Sequence, residues 1–289
     1  MTSNILSVSS GPDATATQYA PFQAGTLAEQ LHEAQERVRA LPGDADLRWG
    51  LSQLLCVMGE WPRAVEQLRV FAQLRTEATH LAQTYRELIR AECWREKVLA
   101  GQADPGSLAD LPHWAAMLVE AMRLSVEGRT DEADEKRLIA LDQAPLVAGR
   151  GAQIAFDWIA DSDSHLGPIC EVVMAGHYRW LPISEIRAWR IRQPESLFDL
   201  VWAPCTLMCV DGQSVAGFMP ARYPVRDETG DSDADAIRLG HKTLWRERGP
   251  TAIVASGRKT WATSAGDFDV FELNACEFGA SVADAVTED

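Results

Sequence analysis

The sequence is poor in basic residues for its length. Its 289 residues include 27 Lys and Arg against 42 Asp and Glu, which gives a formal net charge of −15. Binding to duplex nucleic acid needs clustered Lys and Arg that neutralise phosphates, and docking on an anionic membrane needs the same. The composition therefore argues against both classes of function. If electrostatic attraction contributes to binding, it favours a basic partner.

Long apolar runs are also missing. No stretch approaches the roughly 20 consecutive apolar residues of a membrane-spanning helix. Residues 1–25 have neither a positively charged start nor a sustained apolar core, so no secretory signal is predicted and we expect a flexible N-terminal segment. Residues 281–289 are expected to form an acidic tail. Together these features predict a cytoplasmic protein.

Cysteine pairs at redox or metal-binding spacing are lacking. The chain has six cysteines, and none of them forms a Cys-x-x-Cys pair. A chain of this length does not depend on disulfides, so reduced thiols in the core are expected. Cys205 and Cys209 should share one face of a strand. The spacing of His165, Cys170 and His177 fits no zinc pattern, and no metal is predicted.

The common catalytic motifs are absent as well. The sequence contains no G-x-S-x-G and no H-E-x-x-H motif. The pentapeptide SGRKT resembles the end of a phosphate-binding loop but lacks the upstream glycine. Asp231, Asp233 and Asp235 have the spacing of a calcium loop, but Ala236 and Lys242 occupy the positions where that loop needs Gly and Glu. We therefore expect a solvated loop there.

One acidic stretch, FDWIADSDSHLGP, keeps a hydrolase open as an alternative. It places Asp157, Asp161, Asp163 and His165 close together, and neighbouring carboxylates can serve acid–base catalysis if burial raises the pKa of one. The plainer interpretation is a loop in which Asp and Ser side chains bond nearby backbone N–H groups. We expect no catalytic residue and no cofactor.

What the first half does contain is a repeated helical hairpin. In LSQLLCVMGEWPRAVEQL an amphipathic helix ends at glycine and a second one follows, and the stretch from Met117 to Pro145 repeats the pattern. Small residues let the two helices approach closely, and glycine permits the left-handed cap. This spacing resembles the tetratricopeptide hairpin. Aligning Gly59 with Gly128 also pairs Ser52 with Ala121, Leu55 with Leu124, and Ala64 with Ala133.

Between the two hairpins the pattern predicts one long helix from Thr79 to about Leu99. We therefore expect an irregular tetratricopeptide-like helical solenoid of about six helices over residues 26–146, with a concave face suited to peptides or helices. The alternative is a plain helical bundle without a groove. Five side chains of the long helix are expected to point inward: Leu81, Tyr85, Leu88, Ile89 and Val98.

The second half, residues 147–280, changes to short alternating runs that predict strands. Gly176 and the pair Asp211-Gly212 mark tight hairpin turns. The stretch DVFELNACEF is expected to be one strand. Because helices and strands are segregated along the chain, the sequence predicts an α+β fold with a mostly antiparallel β domain at the C-terminal end.

Aromatic residues are the candidate binding elements. Most of the ten tryptophans are expected in the core, but Trp and Tyr also anchor interfaces because they bury much area at low entropic cost. From the pattern alone we expect Trp61, Phe71, Tyr85 and Trp94 to contact a partner. A further expectation is that the arginines flanking Trp189 form ion pairs on the face of a strand; these are Arg187, Arg190 and Arg192.

Three segments together resemble a known family. GEWPRAVEQL, FDWIADSDSHLGP and LVWAPCTLMCVDGQSVAGFMPARYP are similar to the ImpE/SciE (TagJ) family of type VI secretion accessory proteins. The resemblance runs from about Thr26 to Phe278. It implies a cytoplasmic adaptor that binds the N-terminal helix of the small sheath subunit TssB and associates with the ATPase ClpV, which disassembles the sheath. The motif residues implied to shape the domain junction are Asp157, Trp158, Asp161, Asp163, Gly167 and Pro168.

A module for a small molecule or carbohydrate, with a pocket in the β domain, remains the main alternative. An aromatic-lined pocket in the second half would favour it. The hydrolase would be favoured by a strongly raised carboxylate pKa beside a pocket, and disfavoured by carboxylates bonded within their own loop.

Overall fold

The computed structural model describes residues 25–224 and 233–279. Almost all of the expected N-terminal segment, the expected acidic tail and Asp231 of the calcium-like loop lie outside these residues. Six long helices occupy the first half and a short seventh lies among the strands: α1 Leu27–Ala40, α2 Ala45–Met58, α3 Trp61–Leu74, α4 Thr79–Leu99, α5 His113–Val126, α6 Thr130–Gln143 and α7 Ala234–Arg238.

The first two helices begin at side-chain caps that the sequence encodes. Thr26 and Glu29 form a capping box at α1, in which each side chain bonds the backbone N–H of the other residue. The Asp44 carboxylate accepts hydrogen bonds from the first-turn N–H groups of Asp46 and Leu47 at 2.9 and 3.1 Å. These caps satisfy N–H groups that have no partner within the helix.

The repeated hairpins are confirmed as α2–α3 and α5–α6, and both use the same turn. Gly59 and Gly128 have φ of +76° and +77°. The residue after each glycine donates its backbone N–H back to the end of the first helix, at 2.8 Å to Leu55 O and 3.0 Å to Leu124 O. This is the Schellman pattern that favours glycine. The aligned small residues are all buried: Ser52, Ala64, Ala121 and Ala133.

Helix α4 has the predicted bounds, but one of its inward-facing residues was assigned wrongly. Leu88, Ile89 and Val98 are buried as expected, whereas the Leu81 side chain is 44% exposed. Leu81 lies in the first turn of the helix, before α4 reaches the sheet. Further along, α4 packs against both α3 and strand β5 of the β domain. The long helix therefore lacks the hairpin partner that α2 and α5 each have in the following helix.

The β domain is antiparallel throughout its named strand pairs and contains three sheets. The main sheet has the order β2-β1-β13-β6-β7-β8-β4-β5, a small sheet has the order β12-β11-β3, and β9 and β10 form a separate ribbon. Its strands are β1 Gly149–Arg150, β2 Ala155–Phe156, β3 Ile159–Asp161, β4 Ile169–Met174, β5 His177–Pro182, β6 Ile186–Ile191, β7 Trp202–Cys209, β8 Ser214–Pro220, β9 Thr243–Glu247, β10 Ile253–Gly257, β11 Thr260–Thr263, β12 Gly266–Asp269 and β13 Ala275–Phe278.

Both predicted hairpin turns are present, while the last predicted strand is interrupted. Ala175-Gly176 joins β4 to β5 with positive φ at both residues, and Gly212 turns between β7 and β8. Within DVFELNACEF, the Asp269 carboxylate accepts the N–H groups of Phe271 and Glu272 at 2.7 and 3.0 Å. That side-chain bonding forms a turn, so extended structure resumes only at β13.

Two hydrophobic cores lie on opposite faces of the main sheet. One joins the helices to β4, β5 and the segment from Leu197 to Trp202, and the other lies between the main sheet and the small sheet. Strand β4, which lies next to the edge strand β5, is buried on both faces, which explains why its sequence is apolar except for Glu171. Cys205 and Cys209 share the inner face of β7, and all six cysteines are unpaired. The predicted α+β class is confirmed.

Candidate partner-binding site beside a buried charged junction

The helical half meets the sheet through a buried ion pair. Arg95 of α4 donates two hydrogen bonds to Glu171 of β4, from Nε at 2.7 Å and from Nη2 at 3.0 Å. Its third amino group bonds Glu92 at 2.9 Å, and all three side chains are buried. Burial alone would raise the pKa of Glu171, but the charges of Arg95 and Lys259 hold that pKa well below its ordinary value.

A lysine extends this pair into the β domain. Lys259 Nζ bonds both Glu171, at 2.8 Å, and Asp161, and its side chain has no exposed surface. The Tyr223 hydroxyl lies 2.6 Å from Asp161 Oδ1. Burial raises the pKa of Asp161 to about 6, against the opposing effect of the Lys259 charge. The junction is thus a chain of alternating charges that runs from α4 through β4 and Lys259 to Asp161 of β3.

A second arginine holds the end of α2 without any carboxylate. Arg222 donates to the carbonyls of Val57 and Cys56 at 2.7 and 2.9 Å, and to Arg238 O at 2.7 Å. Burial lowers its pKa to about 10, because carbonyl groups compensate a buried charge less than carboxylates do. Cations are favoured near these last carbonyls of a helix, where the helix dipole is negative.

The acidic motif divides between this junction and the surface. Asp163 accepts bonds from the His165 backbone N–H at 2.9 Å, from its ring Nδ1 at 2.8 Å and from Ala255 N at 3.1 Å. These bonds outweigh burial and lower the pKa of Asp163. The exposed pair Asp157 and Trp158 instead lies beside Ser264, whose hydroxyl accepts the Asp157 N–H at 2.7 Å.

Gly167 and Pro168 complete the motif by shaping the chain between β3 and β4. Gly167 has φ of +53°, and its carbonyl accepts the Asp161 N–H at 2.6 Å. A Cβ at Gly167 would lie 2.5 Å from Leu141 Cδ2 of α6, so glycine permits the close contact between the two halves. The Pro168 carbonyl accepts the Ile183 N–H at 2.9 Å.

Three of the four aromatic residues expected to contact a partner are engaged inside the protein. The Trp61 ring packs against Trp202, and its Nε1 donates to Glu96 at 3.0 Å. Phe71 is 2% exposed and packs against Trp49, so its ring offers no surface. The Tyr85 ring stacks on Phe198 with centroids 3.8 Å apart. These three side chains therefore pack inside the protein and contribute little to its surface.

Trp94 is the exception, since 46% of it is exposed and it lines a groove of about 440 Å³. Its Nε1 donates to Asp104 O at 3.0 Å, which fixes the ring against the segment after α4. We call this the Trp94 groove. Its lining comes from α4, from the segment after it and from the β4–β5 hairpin, and consists of Arg90, Ala91, Trp94, Asp104, Pro105, Gly106, Gly176, His177, Tyr178 and Arg179.

The expected ion pairs around Trp189 are not formed. In the part of the chain that the structure describes, Arg187, Arg190 and Arg192 have no carboxylate within ion-pair distance. Arg187 and Arg190 lie on β6 and Arg192 follows its end, and all three are exposed. The residue of β7 opposite Arg190 is Thr206. The expectation was wrong because it assumed that an acidic chain places a carboxylate next to every arginine.

Asp161 was expected at the domain junction, but Arg95, Glu171 and Lys259 were not, although the sequence contains signals for two of them. Glu171 interrupts an apolar strand, ICEVVM, where a lone charge indicates a buried partner. Lys259 lies in SGRKT, at the start of the predicted strand RKTWAT, where a lysine can be buried. Arg95 carries no such signal, because it looks like any charged residue on an amphipathic helix.

Metal and hydrolase sites find little support in this arrangement. Across residues 25–224 and 233–279, no three His, Cys, Asp or Glu side chains are grouped so that they could hold a metal. Lys242 pairs with Asp233, and Asp235 accepts the Leu27 N–H of α1 at 2.8 Å. Asp161 has a raised pKa, but its side chain is fully buried and already bonded to Lys259.

Comparison with known proteins agrees with the motifs. The ImpE protein family matches residues 153–277. The type VI secretion system accessory component TagJ of Pseudomonas aeruginosa is 40% identical over 257 residues, which cover 89% of each chain. The X-ray structure of protein VPA1032 from Vibrio parahaemolyticus matches with a TM-score of 0.79 at 26% identity, over 89% of this chain and 95% of that one.

The likenesses to TagJ and VPA1032 cover both the helical half and the β domain, whereas the ImpE family model matches the β domain alone. No helix in the described ranges combines the length and apolar character needed to cross a bilayer. The resemblance drawn from the sequence motifs is confirmed by the identity to TagJ over most of the chain. The chain belongs to the ImpE family, which includes the type VI secretion accessory component TagJ.

Proposed function

We propose that this protein is a non-enzymatic cytoplasmic adaptor of the type VI secretion system. In this proposal it binds the N-terminal helix of the small sheath subunit TssB and links the sheath to the ATPase ClpV for disassembly and recycling. The observation that carries the proposal is the 40% identity to TagJ along 89% of the chain. The proposed domains are residues 26–146 and 147–280.

The Trp94 groove is the surface that best fits a helical partner. A helix laid in a groove inserts apolar side chains at i, i+3, i+4 and i+7, and exposed Trp is a favoured anchor for them. Trp94 lies on α4, the helix that the buried junction fixes to the sheet through Arg95, one residue further on. A partner therefore meets an aromatic side chain on a rigid support, which lowers the entropic cost of binding.

Charge affects the binding of a partner both at long range and close to the groove. The net charge of −15 attracts a basic partner from far away. Close to the groove, Arg90 and Arg179 stand at the rim, and Asp104 is paired with Arg123. Salt screens the long-range attraction far more than the aromatic contact. Higher ionic strength should therefore slow association with little effect on the dissociation rate.

The carboxylates of the acidic motif support a non-catalytic role. The Asp161 carboxylate bonds Lys259 and Tyr223, and the Asp163 carboxylate bonds His165 and Ala255. Each of these bonds positions a strand or a loop, so the motif is accounted for by the architecture of the junction.

The test is isothermal titration calorimetry of the full chain with a peptide of the TssB N-terminal helix. We expect saturable one-to-one binding, weakened at least about 30-fold by Trp94→Ala, since central aromatic anchors contribute about 2 kcal/mol or more. Trp245→Ala is the matched control, because Trp245 is 49% exposed and lies on β9 outside the groove. Its affinity should equal that of the native chain.

The outcomes separate the function from the site. Equal binding by Trp94→Ala and the native chain would mean that the helix binds outside the Trp94 groove, while the adaptor function would still stand. Absence of binding, with a peptide shown to fold in trifluoroethanol, would contradict the sheath interaction. The ClpV link is tested by adding the ATPase to the chain with and without TssB, and a ternary complex in size-exclusion chromatography is expected.

A further inference from the structure

A second cavity lies between the two halves, on the opposite side of the C-terminal end of α4 from Trp94. Its volume is about 720 Å³, within the range of small-molecule sites. We call it the interdomain cavity. Its walls come from α4, α5, α6, the His165 loop and the β9–β10 ribbon, and its lining includes Leu99, Met122, Val126, Arg137, His165 and Val254.

Arg137 is the unusual member of this lining. It is 1% exposed, and the carboxylate that it contacts, Asp134, is at 2.8 Å from Nη1. Nη2 has the Ser125 hydroxyl at 3.4 Å, which is the limit of a hydrogen bond. Burial lowers the pKa of Arg137 despite Asp134, so the guanidinium is compensated less well than Arg95 in the junction.

The same guanidinium ties the ribbon to the helices. Nη1 also donates to Thr251 Oγ1 at 2.9 Å, and Thr251 N donates to Asp134 at 3.3 Å. Further along the ribbon, Ile253 N donates to Ser164 Oγ at 2.8 Å. The ribbon does not pair with either of the other sheets. It therefore forms a wall of the cavity that is joined to α6 through polar contacts at its tip.

His165 supplies a second polar group. Its Nδ1 is bonded to Asp163 at 2.8 Å, which fixes the orientation of the ring. Within residues 25–224 and 233–279, its Nε2 has no hydrogen-bond partner. Because Nδ1–H is donated to Asp163, Nε2 accepts a hydrogen bond from the cavity when the ring is neutral and donates one when the ring is protonated. Opposite these polar groups lie Met122, Val126 and Val254, which offer an apolar surface.

We infer that the interdomain cavity binds a small amphiphilic anion. Its carboxylate or phosphate group bonds Arg137, with His165 beside it, and its apolar body lies against Met122, Val126 and Val254. The anion supplies Nη2 of Arg137 with a stronger acceptor than the Ser125 hydroxyl at 3.4 Å, and bidentate contact with an oxyanion is the geometry that guanidinium groups favour. The inference does not depend on the adaptor function, since the cavity and the Trp94 groove share no lining residue.

Four probes that have similar alkyl chains but different head groups test this inference on the full chain. They are octanoate, octyl phosphate, octylammonium and 1-octanol, measured by calorimetry and by the shift in melting temperature. We expect one-to-one binding of an anion, with Kd about 1 mM or lower, at least 10-fold tighter than octanol or octylammonium. Comparing octanoate with octyl phosphate identifies which oxyanion the site prefers.

The double variant Asp134→Asn with Arg137→Met removes the ion pair without leaving one buried charge alone. It should lose at least 10-fold in affinity for the anion and little for octanol. The matched control is Glu60→Gln with Arg63→Met, an exposed pair with the same spacing along a helix, which should bind the anion as the native chain does. Val126→Trp, at an exposed position in the lining, should block all four probes.

Three results would overturn the inference. They are failure of both anions to bind, equal affinity for the anions and octanol, and anion binding that survives in both the double variant and Val126→Trp. If the double variant does not fold, Val126→Trp alone decides whether the probes occupy this cavity, and the probe series still decides whether the site selects an anion.

Discussion

The α2–α3 and α5–α6 hairpins are held by small buried side chains and glycine caps, whereas the junction between helices and sheet is held by buried ions. Every contact of a hairpin turn lies within a few residues, as in the bond from Glu60 N to Leu55 O. The ion pair of Arg95 with Glu171 joins residues 76 positions apart. The hairpins therefore depend on backbone geometry, and the junction depends on charge balance.

The difference teaches what each region tolerates. A hairpin can lose a methyl group or a cap and stay folded, because its neighbours bury most of the same surface. The junction cannot lose one charge cheaply, because the partner left behind stays buried without compensation. Substitutions in the two regions should therefore differ in size, and the predictions below test that ranking.

The largest effect is expected for Glu171→Ala. It leaves Arg95 and Lys259 buried with less negative charge, and breaking a buried pair in this way costs about 4 kcal/mol in the free energy of unfolding. Urea unfolding followed by circular dichroism measures the change. Glu33→Ala, in an exposed pair with Arg37, is the control and should change little. Equal effects from the two variants would contradict the ranking.

A smaller effect is expected for Arg222→Met. The variant removes three hydrogen bonds to carbonyls but also removes a poorly compensated charge, so the loss should be about 2 kcal/mol. Arg95→Met removes the arginine partner of both Glu171 and Glu92, so it should lose more free energy of unfolding under the same conditions. A larger loss for Arg222→Met than for Arg95→Met would mean that the bonds to carbonyl groups contribute more to the free energy of unfolding than the carboxylate pairs do.

The two hairpin glycines should behave alike. Gly59→Ala and Gly128→Ala each force a side chain into the left-handed region, which costs about 1 kcal/mol. No steric clash adds to this cost, because a Cβ at either site meets no other atom within 4 Å. Gly43→Ala is the control, since its Cβ also has open space and its φ is not positive. Thermal unfolding would reveal unequal costs, which would mean that the repeats are not equivalent.

The smallest effect is a pH dependence from Asp161. Its folded pKa is about 6, against about 3.8 when unfolded, so between these values the folded chain binds a proton that the unfolded chain does not. Its contribution to the free energy of unfolding therefore rises as pH falls, by about 1 kcal/mol from pH 7 to pH 5. The lowered pKa of Glu171 acts in the opposite direction, below about pH 4.5.

Asp161→Asn removes this contribution while keeping the shape of the side chain. The stability difference between the native chain and the variant, measured by urea unfolding at pH 7 and at pH 5, should change by that amount. A difference that stays constant over this range would mean that Asp161 is ionised throughout in the folded protein.

The sequence predicted local structure well and long-range contacts poorly. The bounds of α4, the repeated glycine caps and the turn at Ala175-Gly176 follow from patterns within a few residues, which fix backbone geometry directly. The partners of Arg95 and Lys259 depend on topology, which no local pattern specifies. The burial of Phe71 under Trp49 was not predicted for the same reason, because helical spacing shows that a face is apolar but not what covers it.

The long sequence separation within the junction has a consequence for the order of folding during synthesis. Arg95 and Glu92 leave the ribosome well before Glu171, and Lys259 follows 88 residues after Glu171. At about 5–20 residues per second, the helices wait roughly 10–30 s for the last charge of the junction. Glu171 can pair with Arg95 before that, but the charges of the junction are balanced only after Lys259 has been synthesised.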